Sequence, residues 1–267
     1  MKMIRKAFSV SARTIVMLLV LAVLGLALYF AEFEGSISSN LSNMVPWDIY
    51  LSGFMMFAGI GAGCLIIATV PKVSGIDSID LGLSRELSWI AFASLLTAGI
   101  FITIDLGNPL RMYELLLSPN FTSPLIFDVI ALPVAIVLSL IYACIEQSKL
   151  RASTVLLLNL VCFIWGIFVL CVDAWILLSN GSHEAWSNPI LMPWFIVTGA
   201  LCGASIELML ATKIKSELRL LPKVTVALIV IDAAAYVFDL ALGTDSTREM
   251  MVTGALAPFF WIQMVLY

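Results

Sequence analysis

Eight long runs of apolar residues constrain this sequence more than any other feature. An α-helix needs about 20 mostly apolar residues to cross the hydrocarbon core of a bilayer, and each run is about that long. The runs occupy residues 14–31, 47–70, 87–105, 123–145, 153–178, 189–212, 222–242 and 252–267. Only 12% of the residues are charged, about half the share found in soluble domains. The sequence therefore predicts an all-α integral membrane protein with about eight transmembrane helices.

The placement of basic residues predicts how these helices are oriented. Of the 14 Lys and Arg residues, only Arg111 and Arg248 lie on the side opposite the N-terminus. Basic residues accumulate on the cytoplasmic side, so we expect a cytoplasmic N-terminus. The first run could be mistaken for a signal peptide, but its length favours an uncleaved anchor. The net charge of −4, with no basic patch, argues against a nucleic-acid partner.

The third and seventh runs end alike, and the runs that follow them open alike. Residues 102–107 read ITIDLG, and residues 236–243 read YVFDLALG. At the same offset, Pro124 opens the fourth run and Pro258 opens the eighth. Parallel repeats are a known membrane architecture. We therefore interpret the runs after the first as two parallel four-helix repeats, of which the second is apparently incomplete.

These repeats divide the chain into three parts. Residues 1–46 would form a cytoplasmic tail, an anchor helix and an outer loop. Residues 47–178 would form the first four-helix unit, and residues 189–267 the second helical unit. The last run reaches Tyr267 without a basic flank, so we expect the natural protein to continue beyond this residue.

Acidic residues inside the apolar runs are candidate functional groups, because a charge within a bilayer is costly. Five of them lie within about two turns of the outer surface by helical rise: Asp48, Asp105, Asp128, Asp173 and Asp239. Each could instead be an interfacial residue that caps a helix or reaches water. Asp48 and Asp128, in the first turns of their helices, fit that alternative best.

Two further acids lie deeper. Asp232 is ten residues into its run, about 15 Å by helical rise and so near the midplane. Glu207 is close to the cytoplasmic end of the sixth run. Together with Asp239 they could form part of a proton path. The alternative for Asp232 is a satisfied structural contact.

Three further features bear on what the helices could bind: small residues, Trp165 and the scarcity of metal ligands. Residues 59–64 (GIGAGC) and 199–205 (GALCGAS) could pack helices backbone to backbone, or make room for a flat ligand. Trp165 could be a packing residue or a ligand platform. His183 is the single histidine, and the five cysteines show no CxxC spacing. Paired axial histidines and clustered thiolates are therefore not available, and we expect neither haem nor an iron–sulfur cluster in this chain.

Two stretches together resemble the NrfD/polysulfide reductase membrane-subunit family. Residues 46–63 read PWDIYLSGFMMFAGIGAG, and residues 103–129 read TIDLGNPLRMYELLLSPNFTSPLIFDV. The family shares a W-x-x-Y helix with a glycine-rich middle, a DLGxPxR turn and an N-x-x-S-P opening of the next helix. The resemblance covers residues 46–145 well and the second half more weakly. It implies a haem-free subunit of a respiratory oxidoreductase in a bacterial or archaeal cytoplasmic membrane, not catalytic alone.

The resemblance also implies a cofactor and partners. Family members bind a quinone or quinol, menaquinone or ubiquinone, near the outer face. They exchange electrons with an extracytoplasmic ferredoxin-like iron–sulfur subunit, which connects to a catalytic subunit of the molybdopterin, hydrogenase or multihaem type. Iron–sulfur clusters are thus expected only in partner subunits. The alternative function is that of a secondary transporter or proton-translocating membrane protein.

On this basis we assign candidate roles to the polar residues. Quinone binding is assigned to Tyr50, Asp105, Asp128 and Asp173. Partner docking is assigned to Asn108 and Arg111, although an Asp105–Arg111 pair that only fixes the turn is an alternative. The proton path is assigned to Asp232, Glu207 and Asp239. Some family members carry a histidine on the W-x-x-Y helix, where this sequence has none.

Overall fold

The structure is a computed structural model of the 267-residue chain. It describes residues 49–75, 81–105, 113–145, 147–180, 186, 188–214, 220–254 and 256–266. Several sequence predictions fall outside these residues: the anchor helix at 14–31, Asp48, Asn108, Arg111, His183 and the side chain of Asp105. Throughout the described ranges, every regular element is helical.

Nine α-helices and one 3₁₀ turn make up the described residues. The helices are α1 (Ile49–Val73), α2 (Leu81–Asp105), α3 (Tyr113–Leu117), α4 (Pro124–Cys144), α5 (Ala152–Leu178), α6 (Leu191–Ile214), α7 (Leu221–Leu242), α8 (Asp245–Val252) and α9 (Ala257–Leu266), with the 3₁₀ turn at Gln147–Lys149. Six of these, α1, α2 and α4 to α7, are long and apolar enough to cross a membrane. The prediction of an all-α, multi-pass membrane protein is confirmed.

The eighth predicted span is not a single helix in the structure. Instead of one element over 252–267, α8 ends at Val252 and α9 begins at Ala257. Gly254 closes α8 by donating its backbone N–H to the Glu249 carbonyl at 2.8 Å, and Pro258 has no N–H to offer a preceding turn. The eighth predicted span therefore begins at Ala257 rather than at residue 252, and the count of eight spans stays a prediction.

Four of the long helices form a ring. In this ring α1 packs against α2 and α5, and α4 packs against the same two helices from the opposite side. Helix α6 then packs against α1 and α5, and α7 packs against α6. We call the end of the ring near Asp128 and Asp173 the acidic end, and the end near Lys72 and Lys149 the basic end. The interpretation as two repeats stays a prediction.

Glycines bring α1 and α6 into direct backbone contact. A Cβ atom on Gly203 would collide with the carbonyl of Gly63 and lie 2.9 Å from the backbone nitrogen of Cys64. A Cβ on Gly63 would in turn collide with the carbonyl of Gly199. The two small-residue stretches thus pack against each other, as one of the two sequence interpretations predicted. The contact leaves no room for a flat ligand at this level.

Candidate functional site

Two carboxyl groups on neighbouring helices form a buried acid pair at the acidic end of the ring. Asp128 of α4 is 5% exposed, and Asp173 of α5 is completely buried. Helix α4 begins at Pro124 after the N-cap residue Ser123, which places Asp128 beyond the first turn. Asp128 is therefore not a helix cap, and that alternative is wrong.

The two members of the pair lie close together. Helices α4 and α5 pack against each other, and the rings of Phe127, next to Asp128, and of Trp175, two residues after Asp173, have centroids 5.2 Å apart. Among the described residues, nothing donates a hydrogen bond to Oδ1 of Asp128 or to either oxygen of Asp173. Burial of a polar group without a partner is costly, which makes this pair a candidate for function rather than for stability.

Tyr50 lies at the same end of the ring as the buried acid pair. Its ring is 4% exposed and lies 6.4 Å from the ring of Phe101, centroid to centroid. Tyr50 shares its core cluster with Val172 and Ile176, which lie close to Asp173 along α5. The backbone of Asp105 ends α2 near this place. The structure therefore brings three of the four predicted quinone ligands, Tyr50, Asp128 and Asp173, to one end of the ring.

Asp232 on α7 differs from the buried acid pair because it has hydrogen-bond donors. Its Oδ1 accepts a bond from the indole N–H of Trp194 at 2.9 Å and from the hydroxyl of Thr198 at 2.6 Å. Both donors lie on α6, one turn apart. These bonds give Asp232 a structural contact, and its role in a proton path stays a prediction. Trp194 and Thr198 were not predicted from the sequence, although their spacing places them on one helix face.

A cavity of about 400 Å³ lies beside Asp232, between α6, α7 and α9. Its polar lining comes from Thr198, Ser205, Asp232 and Gln263, and Phe259 contributes an aromatic wall. The buried acid pair does not line it. The cavity and the predicted quinone site are therefore two different places in the fold.

Asp239 is held near the acidic end by a loop residue. Its Oδ1 accepts a bond of 2.8 Å from the side-chain amide of Asn188, which precedes α6.

Trp165, deep in α5, donates its indole N–H to the carbonyl of Ala131 at 2.9 Å. The packing interpretation of Trp165 is thereby confirmed.

Glu207 on α6 is the remaining buried acid, and it lies towards the basic end. It is 1% exposed, and its Oε1 has no hydrogen-bond partner within the described ranges. On α4, the hydroxyl of Tyr142 donates a hydrogen bond to the carbonyl of Ala68 at 3.0 Å. That hydroxyl lies 2.8 Å from Oδ1 of Asn159 on α5. Tyr142 and Asn159 were missed because only acids were followed in the sequence, although any polar residue inside an apolar run carries the same signal.

One known protein family matches the chain over most of its length. This family, described as polysulphide reductase, NrfD, matches residues 37–267. The chain belongs to the NrfD family. The resemblance noted in residues 46–63 and 103–129 is thus confirmed and extends over both halves of the chain.

Curated relatives of this NrfD-family protein are named as parts of reductases. A putative membrane subunit of dimethyl sulfoxide reductase from Halobacterium salinarum is 26% identical over 73% of this sequence and 49% of its own length. A polysulfide reductase component from Wolinella succinogenes is 26% identical over 63% of this sequence and 59% of its own. A selenate reductase component from Mesobacillus selenatarsenatis is 28% identical over 38% and 24%, respectively. The matched region therefore spans at most about three fifths of the length of each of these relatives.

Proposed function

We propose that this protein is the haem-free membrane subunit of a respiratory oxidoreductase, and that it binds a quinone or quinol at the buried acid pair. The observation that carries the proposal is the pair itself. It consists of two carboxyl groups on adjoining membrane helices, and three of their four oxygens accept no hydrogen bond from the described residues. Membership of a family whose relatives are named as parts of reductases supports a redox role.

The residues at the acidic end fit a quinone ring. When bound, a quinone would supply two-electron, two-proton redox chemistry. Asp128 and Asp173 have oxygens that can accept hydrogen bonds from the hydroxyls of the reduced form and hold the protons that it releases. The aromatic side chains of Phe127 and Trp175 lie next to the pair and can pack against a flat ring. Tyr50 supplies a phenol hydroxyl at the same end of the ring.

The segment that we propose as the docking surface follows the end of α2 in the sequence. Asn108 and Arg111 follow the end of α2, although both lie outside the described residues. Arg111 is one of two basic residues on this side of the predicted topology, so a specific partner would account for its position. We assign that role to an extracytoplasmic ferredoxin-like iron–sulfur subunit, which passes electrons to or from a catalytic subunit of the molybdopterin, hydrogenase or multihaem type.

The position of the quinone can be tested by photolabelling. The complex is purified from native membranes, irradiated with an azido-quinone analogue and digested for mass spectrometry. We expect the label on peptides from α4 and α5. Label on Phe259 or Gln263 instead would place the quinone in the cavity beside Asp232 and contradict the assignment.

Turnover provides the second test. In Asp173→Asn, quinol oxidation by the assembled complex should fall by about 100-fold or more, because a positioned proton acceptor is lost. Glu249→Gln makes the same change of acid to amide at an exposed residue of α8 and should leave turnover intact. Unchanged turnover in Asp173→Asn would remove this residue from the site. Solute transport by the isolated protein in liposomes would contradict the proposal as a whole.

A further inference from the structure

Helix α3 presents an apolar face to the outside of the molecule. Tyr113, Leu116 and Leu117 are 58%, 54% and 74% exposed, respectively. Residues three and four apart lie on the same side of a helix, so these side chains form a single face. Leu115, on the other side by helical spacing, is partly buried. A helix that lay on a surface in water would instead expose its polar side chains and turn its apolar ones towards the protein.

This apolar face continues into the turn that leads to α4. Phe121 in the turn and Leu125 in the first turn of α4 are also exposed, and α3 packs against α4. We call these five residues, Tyr113, Leu116, Leu117, Phe121 and Leu125, the α3 patch. Proteins that are surrounded only by water rarely expose apolar side chains in such numbers together, and a patch of this kind marks contact with a membrane or with another protein.

Lipid is the occupant that the surroundings of the α3 patch favour. Helix α4 is long and apolar enough to cross a membrane, and the side chains that it exposes further along include Ile130, Val137 and Ile141. Within a bilayer these side chains contact acyl chains. The α3 patch therefore adjoins a surface that lipid already covers. Tyr113 fits the edge of that surface, because tyrosine is enriched at the level of the lipid headgroups.

The other short helix at the acidic end, α8, has the opposite character. Its Arg248 and Glu249 are exposed. The guanidinium of Arg248 donates to the carbonyls of Leu240 and Gly243 at 3.2 and 3.3 Å. Exposed charges are costly in a bilayer, so this face of α8 belongs in water. The apolar face of α3 is thus not a general feature of the short connecting helices.

We propose that α3 lies in the bilayer interface, with the α3 patch among the lipid headgroups and the first carbons of the acyl chains. This position sets the level of the membrane surface relative to the buried acid pair. Asp128 is four residues beyond Pro124, about 6 Å by helical rise, so the pair lies just below the headgroups. The inference does not depend on the quinone or on the partner subunits of the proposed function.

Site-directed spin labelling tests the position of α3. The complex with Leu117→Cys is purified, labelled with a thiol-reactive nitroxide and returned to phospholipid bilayers. Collisions of the nitroxide with oxygen, which concentrates in lipid, and with a water-soluble nickel chelate are measured by EPR. The signal of the labelled wild type, which has five native cysteines, is subtracted. The ratio of oxygen to nickel collisions should be at least about tenfold higher in Leu117→Cys than in Ser118→Cys, because an interfacial helix immerses its apolar face by about 5–10 Å.

Ser118→Cys is the matched control, since Ser118 is exposed, follows Leu117 directly and is close to cysteine in size. Phe121→Cys tests a second position of the α3 patch and should agree with Leu117→Cys. Frequent nickel collisions at both patch positions would show that the patch faces water. Infrequent collisions with both reagents would show that a protein partner covers it. Either result would overturn the proposal.

Discussion

Replacement of Asp173 and Asp232 by alanine gives a matched pair of variants with opposite expectations for stability. Both residues are acids within membrane helices, and both are at most 1% exposed. Asp232 accepts two hydrogen bonds, from Trp194 and Thr198. Asp173 accepts none from residues within the described ranges. The two variants therefore remove the same group from two different environments.

The contacts set the size of the expected difference. Loss of a carboxyl group leaves a small cavity, which costs about 1 kcal/mol in both variants. In Asp232→Ala the partly buried Trp194 and the exposed Thr198 lose their acceptor, and each lost hydrogen bond costs about 0.5–1.5 kcal/mol. In Asp173→Ala the removal of a buried polar group without a described partner offsets the cavity. We therefore expect Asp173→Ala to change the free energy of unfolding by less than about 1 kcal/mol, and Asp232→Ala to lower it by about 2–4 kcal/mol.

The measurement is reversible unfolding of the purified protein by SDS in mixed micelles, followed by the circular dichroism of the helices. Quinol oxidation by the complex is measured on the same variants, and Asp173→Ala should lose it while remaining folded. Equal losses of stability in the two variants would refute the reasoning. That result would mean that a residue outside the described ranges bonds to Asp173, and that the pair is held together for structure.

Other predictions follow from single contacts. Gly203→Ala should lower stability by about 1–3 kcal/mol or more in the same unfolding assay, because its Cβ meets backbone that cannot move aside, whereas Gly59→Ala, with nothing within 4 Å of the added Cβ, should be neutral or slightly stabilising. Trp165→Phe should cost about 0.5–1.5 kcal/mol for one lost hydrogen bond and leave quinone photolabelling unchanged. Asn188→Ala should increase amide hydrogen exchange at the start of α6, because the bond to Asp239 anchors that loop.

Hydropathy was sufficient to predict the six long helices that the structure describes, and insufficient where a helix continues beyond its apolar run. The predicted runs 123–145 and 153–178 agree closely with Pro124–Cys144 and Ala152–Leu178. Helix α2, predicted from residue 87, begins at Leu81 instead. The additional residues include Arg85, whose Nε donates to the Ala143 carbonyl at 2.9 Å. A polar turn that is stabilised by a contact of this kind carries no hydropathy signal.

The glycine contact between α1 and α6 was predictable because small residues serve few purposes within membrane helices. Partners of the acids were not predictable. Asp173 and Asp232 are both single acids in apolar runs, and sequence distance gives no indication that Trp194 lies beside one of them. Only the packing of α6 against α7 decides this. The acids that lack such a neighbour can be recognised only after the fold is known.

The two candidate proton sites, Asp173 and Glu207, are separated by a layer of packed residues. Asp173 lies about 8 Å from its end of α5 and Glu207 about 10 Å from the opposite end of α6 by helical rise, which leaves roughly 20 Å between their levels. This interval contains the backbone contact of α1 and α6 and completely buried apolar side chains such as Leu170. Protons do not cross such a layer without water or side-chain relays, so we expect each candidate site to exchange protons with a different surface. The loss of turnover in Asp173→Asn should therefore be the same with and without Glu207→Gln in the same chain. Strong coupling between them would require a path through this apolar layer, and would show that the arrangement of the helices changes during turnover.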